Sequence, residues 1–441
     1  MRDYALYFLG NISQVYDILL DESGGPLFSD SQSKEPRDKK QLYNLSHQLR
    51  KKGTKEGDKQ QNDKTDEISR MIEEQQNGII ESIVIKENAY YFFVASQRQV
   101  EDIVQFCCQE SGAAVLGVDT TFNLCNLWVT DSCYRNARIV NAIGNHPVFL
   151  GPLMFHFTKD ESTFTRFALE MMALNASISR VKKIGVDMEE AIFNGINAVI
   201  PNSQALYCIR HLKQRDEAKL DKLFAKLGCT QAEKNKAKSS ILKDIYGDRK
   251  GTLLEYGLSE SLDKADFNSK LSTLNEKWEN YCPGFFAWFL KNRKETFEES
   301  VIASAREGTN IAGVFYQNDV ESLHYIEKRN QCLLKKTVID ALKSLSNLAK
   351  RQENDEIRAI YGAGNYSLST PYIKFKVDSA RWHSWGESRR LDHYKKFRAY
   401  KPNPSDQFQR PKNVGRKKSY VQRKRSQEPI VFLDRIEEQF Q

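Results

Sequence analysis

Polar and charged residues fill positions 21–77, and apolar segments begin abruptly at residue 79. Before that change, residues 1–20 read as a short helix or strand–helix, and "QLYNLSHQL" and "EISRMIEEQQ" as helical islands within a linker. After it, "IIESIVIKENAYYFFVAS" predicts two strands turning at Glu87–Asn88. "QRQVEDIVQFCCQES" places Val100, Ile103, Val104 and Cys107 on one helical face. "AAVLGVDTTFNL" predicts a buried strand, "NLWVTDSC" its hairpin partner and "PVFLGPLMFHFT" a third strand. "DESTFTRFALEMMALNA" predicts a helix with acidic residues in its first turn. "VKKIGVDMEEAIFNGINAVI" reads as a strand, Asp187 and a helix, and "ALYCIRH" as a further strand. Strands joined through helices in this order predict a mixed sheet with helices packed on it. Residues 212–315 are almost entirely helical in pattern, interrupted at Pro283, and a long helix is expected to run to about Gln352. No internal repeat is visible.

A chain of 441 residues is too long for one simple core, so two or three domains are expected. An apolar fraction of 40% supports a globular body. Eight cysteines without dense spacing fit a reducing compartment better than a disulfide scaffold. The start lacks a charged-then-apolar leader layout, and no run of about 18 apolar residues predicts a membrane span.

Three acids stand in positions where chemistry is possible. Asp119 interrupts an apolar strand, Asp187 follows another, and Glu321 opens a helix in "NDVESLHYIE". Two strand-borne aspartates and one helix-borne glutamate can converge at a sheet edge, where hard oxygen donors suit Mg²⁺ or Mn²⁺. Taken singly, each has a plainer explanation: a hydrogen-bonded strand end for Asp119, a helix cap for Asp187 and a favourable first-turn charge for Glu321.

The ordered set "GVDTTFNL", "GVDMEEAI", "ALYCIRHLKQ" and "YQNDVESLHYIEK" resembles the transposases of Mutator-like elements over roughly residues 113–330. The resemblance implies an α/β fold, a ribonuclease-H-like mixed sheet interrupted by a large α-helical insertion. It implies an N-terminal helical or linker region at 1–77, the first part of the core at 78–211 and the insertion at 212–315. The core's glutamate-bearing helix would span 316–352, and a basic, largely flexible tail 353–441. Asp119, Asp187 and Glu321 would be the catalytic triad and the ligands of two Mg²⁺ or Mn²⁺ ions. The chemistry would be hydrolytic nicking at transposon ends and strand transfer by the freed 3′-hydroxyl.

Cys208 and His211, three apart, resemble the family's C-x-x-H pair near the active site. They read as half a zinc site, as support for the carboxylates, or as a packed cysteine and a hydrogen-bonded histidine; a closed zinc site needs four ligands. The first hundred residues contain no cysteine and the last is Cys332, so no cysteine-based finger flanks the core.

Residues 387–425 hold fourteen Lys or Arg against three Asp or Glu, which exceeds the net +8 of the whole chain. Such a segment can neutralise phosphates and resembles a nuclear localisation signal; Arg416, Lys417 and Lys418 are its DNA-binding candidates. "KWENYCPGFFAWF" is the most aromatic stretch of the helical region. It is either bundle core or, as in related transposases, a source of a base-stacking ring, with Trp278 and Trp288 the candidates. The expected protein is therefore a nuclear DNA transposase acting on terminal inverted repeats and target DNA as a homodimer or larger assembly. A domesticated, non-catalytic DNA-binding regulator is the alternative, and a ribonuclease-H-like nuclease that cuts without joining is a third.

Overall fold

The computed structural model describes residues 16, 20, 25–29, 82–86, 89–250, 253–311, 313–330, 335–403, 406 and 408. Most of the expected N-terminal region 1–77 and the cluster Arg416, Lys417 and Lys418 lie outside the described residues.

A seven-stranded mixed sheet forms the centre. Its strands are β1 (Ser82–Lys86), β2 (Ala89–Val94), β3 (Leu116–Thr121), β4 (Trp128–Arg135), β6 (Val148–His156), β7 (Lys183–Val186) and β8 (Gln204–Tyr207); the short β5 (Ile139–Val140) lies outside it. The order is β1-β2-β6-β4-β3-β7-β8. Strands β1, β2, β6, β4 and β3 are antiparallel neighbours, and β3, β7 and β8 run parallel. The parallel steps are crossed by helices α2 (Glu161–Leu174) and α3 (Glu190–Asn197), as the alternating pattern predicts.

Alternation along each strand sends its residues to two different cores. Phe93, Val118, Tyr134, Phe149, Ile184 and Val186 pack on one face with α1 (Gln97–Cys107), α2 and α3. Helix α1 begins with a capping box between Ser96 and Gln99. Phe92, Val129, Cys133, Leu150 and Phe155 point to the opposite face. That face is covered by α10 (Asn318–Asn330) and α11 (Val338–Ile360).

Between β8 and α10 the chain folds into a helical bundle. It contains α4 (Ile209–Phe224), α5 (Gln231–Tyr246), a small hairpin of β9 (Asp248–Lys250) and β10 (Leu253–Glu255), and the short helices α6 (Lys264–Ser272), α7 (Asn275–Tyr281), α8 (Phe285–Asn292) and α9 (Lys294–Ser300). Its core is separate, built on Leu220, Ile241, Phe267, Phe285, Phe289 and Phe297 around Trp278.

Three expectations are corrected. "ALYCIRH" is not one strand: β8 ends at Tyr207, Cys208 is the N-cap position of α4, and His211 lies in that helix's first turn. The long helix expected to end at Gln352 is two helices; Thr337 caps the second, its hydroxyl accepting the Asp340 amide at 3.1 Å, and that helix continues to Ile360. Residues 353–403 are not a flexible tail. Strand β11 (Ser367–Leu368) pairs with β5, and α12 (Ser379–Ser384) and α13 (Glu387–Ala399) bury Tyr372, Trp382, Tyr394 and Phe397 against the sheet. Ten Lys or Arg stand there against six Asp or Glu, and aromatics recurring among them supply the buried face. Among the described residues no helix is long and apolar enough to cross a membrane.

Candidate functional site

The tripeptide Gly-Val-Asp occurs twice, at 117–119 and 185–187, and the fold sets the copies side by side. Gly117 pairs with Gly185 across the parallel β3–β7 step, so Asp119 and Asp187 leave adjacent strands at the same level. Each aspartate has one oxygen tied to the backbone: Asp119 Oδ1 accepts the Thr120 amide at 2.8 Å, and Asp187 Oδ1 accepts the Glu189 amide at 3.1 Å. Burial, and then the charge of Asp187, push the Asp119 carboxyl up to about 7; His324 and the Thr120 amide oppose the shift. Met188 follows directly at φ +80°, a left-handed conformation costly for a long side chain. Local strain is thus stored where Asp187 leaves its strand.

The two glycines also admit α10. A Cβ on Gly117 would meet Val320 Cγ2 at 2.7 Å, and one on Gly185 would overlap the Phe315 ring. Their hydrogens let the segment 315–320 lie directly on β3 and β7. The Cys208 segment fastens it from the other side: the Gln317 amide donates to Cys208 Sγ at 3.3 Å, and the Ile209 amide donates to the Phe315 carbonyl at 3.0 Å. Glu321 therefore emerges beside the first turn of α4. Both its oxygens accept from Arg210 Nη2, at 2.8 and 2.7 Å, and His211 Nε2 lies 3.9 Å from Oε1. Cys208 is fully buried and its sulfur holds the start of the glutamate helix through the Gln317 amide; His211 makes no hydrogen bond to it.

Asp119 and Asp187 are brought to the same level of adjacent strands; Glu321 does not gather with them and is engaged with Arg210. The ligand atoms that do gather within 4.8 Å of one another, among the described residues, belong to Asp131, His324 and Glu327. Asp131 is paired with Asp119 across the β3–β4 ladder, and His324 Nδ1 lies 3.9 Å from Asp119 Oδ2. None of these three was singled out from sequence. A signal existed: Thr130-Asp131-Ser132 is a polar run inside an otherwise apolar central strand, and His324 and Glu327 follow Glu321 at helical three-residue steps.

On the opposite side of β3 a neutral relay runs away from the acids. His156 Nδ1 donates to the Thr158 carbonyl at 2.7 Å, so its Nε2 accepts from the Thr130 hydroxyl at 2.7 Å, which in turn accepts from Thr120 at 3.0 Å. Burial pushes the His156 imidazole down to about 4, with Lys159 adding to the shift and the Thr158 carbonyl and Asp160 opposing it. An unfolded imidazole titrates near 6.5, so between these values the unfolded chain binds the extra proton. The stability concerned is present above about pH 6.5 and is lost as the pH falls toward 4, by about 3 kcal/mol. Urea unfolding at pH 7 and pH 4.5 should show this loss reduced in His156→Gln; an identical loss in both proteins would refute it.

The mouth of the site is aromatic and basic. Phe122, 53% exposed, meets Trp128 edge-on at 5.6 Å. Lys328 Nζ sits 5.6 Å from the Phe122 ring, and Lys159 Nζ 5.0 Å from Trp128 while pairing with Glu189 at 2.7 Å. The tryptophans expected to stack on a base are placed differently. Trp278 is fully buried and donates its indole N–H to Asp244 at 2.9 Å, so it has no face for a base. Trp288 is half-buried between Lys219 and Arg293, 5.5 and 4.9 Å from its ring. No family model matches the chain, and no curated protein matches it.

Proposed function

We propose that this protein is a DNA transposase of the Mutator-like type, in which Asp119, Asp187 and Glu321 hold divalent metal ions at a scissile phosphodiester. The observation that carries the reading is the shared register of Asp119, within β3, and Asp187, just past the end of the parallel strand β7. Burial, and then the neighbouring charge of Asp187, raise the Asp119 carboxyl, a cost that a bound cation would offset. Three antiparallel strands followed by two parallel ones, β6-β4-β3-β7-β8 with β3 leading in sequence, support the ribonuclease-H-like core that the resemblance implies. The bundle between β8 and α10 stands where that resemblance places the insertion.

The donor set fits Mg²⁺ or Mn²⁺ at the aspartates, each with one oxygen left over from its backbone bond. Bound there, the ions would supply an activated water or 3′-hydroxyl and stabilise the leaving oxygen. The chain's own contributions are distinct. Glu321 fits the set once its carboxylate is released from Arg210. The exposed Arg210 guanidinium is a bidentate phosphate partner, so an incoming DNA backbone competes for it and frees Glu321. Phe122 and Trp128, with Lys159 and Lys328 beside them, offer a stacking and phosphate-binding rim for the strand at the site. Action on two DNA ends calls for at least a pair of chains, and the substrate places the protein in the nucleus. The pairing of Glu321 with Arg210 is the one feature that favours the alternative, a DNA-binding regulator that no longer cuts.

The test is a strand-transfer assay with Mg²⁺ or Mn²⁺, the full chain and linear duplexes carrying the element's own ends. Joined products are expected; cutting without joining would indicate a nuclease, and neither would indicate the regulator. Independently, Phe122→Ala should weaken binding of DNA with an unpaired 3′ end by about 1–3 kcal/mol per base and blunt duplex much less. Fluorescence anisotropy measures both; equal losses would remove Phe122 from the rim.

A further inference from the structure

Beneath the acids lies a second group that the transposase reading does not use. Asp131 is fully buried in β4; its Oδ2 is 2.9 Å from His324 Nε2, and its Oδ1 has no hydrogen-bond partner. Glu327 is 1% exposed, and neither of its oxygens has a hydrogen-bond partner. A register shift between Asp131 and Cys133 in the β4–β6 pairing marks a bulge beside the group, and His324 and Glu327 project from one face of α10. Two carboxylates with three orphan oxygens, around one imidazole and sealed from water, form an expensive arrangement as bare protein.

We propose that Asp131, His324 and Glu327 form a buried site for one divalent transition-metal ion of the zinc class, fastening the glutamate-bearing helix to the sheet. Mixed imidazole and carboxylate donors suit Zn²⁺, with Mn²⁺ or Co²⁺ as substitutes, better than the all-oxygen preference of Mg²⁺. An ion taken at His324 Nε2 would leave Nδ1 on the side of Asp119, 3.9 Å from its Oδ2. The ion would thereby set both the position of α10 and the charge facing Asp119. Cys208 and His211 are not part of it, so the site is free of sulfur. The inference does not depend on DNA cleavage and stands or falls separately from it.

The test uses the full chain, stripped with EDTA, exposed to ZnCl₂ at pH 7.5 and desalted. One zinc per chain should be retained, with an X-ray absorption shell of nitrogen and oxygen near about 2.0–2.1 Å and no sulfur at about 2.3 Å. Glu327→Gln and His324→Gln should each lower retention at least about tenfold, and Asp221→Asn, a surface change on α4 away from both metal sites, should not. No retained zinc, a sulfur shell, or full retention by Glu327→Gln would each overturn the proposal. Should either ligand variant fail to fold, the wild-type metal content and absorption shell still decide the matter.

Discussion

Asp119→Asn is expected to remove strand cleavage and leave DNA binding close to that of the unaltered protein. The substitution preserves shape and deletes a charge. Metal ions contribute several kcal/mol to phosphodiester chemistry, and each 1.36 kcal/mol is tenfold in rate, so a fall of about 10³ or more is anticipated. Folding should not suffer: neutralising Asp119 removes the burial cost, and then the Asp187 repulsion, that push its carboxyl up to about 7. A cleavage assay and a binding titration on the same preparation, with a melting curve for each protein, measure the three quantities. Loss of binding in proportion to cleavage, or a lowered melting temperature, would take Asp119 out of the catalytic role.

Arg138→Ala is expected to cost about 3–5 kcal/mol of stability, a large share of the roughly 5–15 kcal/mol typical of a folded domain. Arg138 is 1% exposed and bridges Asp102 at 2.8 Å and Glu356 at 2.9 Å, while its other nitrogen donates to Gln105 at 2.6 Å. Burial alone would raise the Asp102 carboxyl, but the charges of Arg138, Arg398 and Arg98 override it and hold it below its usual range. Removing Arg138 leaves two fully buried carboxylates short of a counter-charge. Because Glu356 lies on α11 and Arg398 on α13, the loss should first loosen residues 353–403 from the sheet. Urea unfolding supplies the free energy and amide exchange the location. A change below about 1 kcal/mol would show that the remaining arginines suffice. Replacing Arg138 and Glu356 together by Met and Gln should cost less, since Glu356 then carries no charge and Asp102 keeps Arg98 and Arg398.

Much of the architecture was legible along the chain because it depends on spacing within single segments. The antiparallel pair β1 and β2, the amphipathic α1, the three-strand meander and the β7–α3–β8 unit all follow from periodicity and caps read over about a dozen residues. Asp119 and Asp187 stood out for the same reason, each interrupting a local apolar pattern. Trp278 and Trp288 show the limit. Both stand in one aromatic stretch, yet the bundle encloses one and leaves the other half-covered, and only the packing of α5 and α8 around α7 decides which. The basic composition after residue 353 concealed a packed segment because charge is counted over many residues, whereas burial needs only one aromatic per turn.

What the sequence by itself determined is the order and type of the elements and the two Gly-Val-Asp strands, since a 2.0 or 3.6 residue period is a property of the local backbone. What only the tertiary structure decided is which side chains meet. The parallel register of β3 with β7 brings Asp119 beside Asp187. The glycines at 117 and 185 let α10 descend far enough for His324 to reach Asp131. The first turn of α4 delivers Arg210 to Glu321. Each of these contacts joins residues far apart along the chain, and their distances are set by strand register and helix packing, which no local pattern encodes.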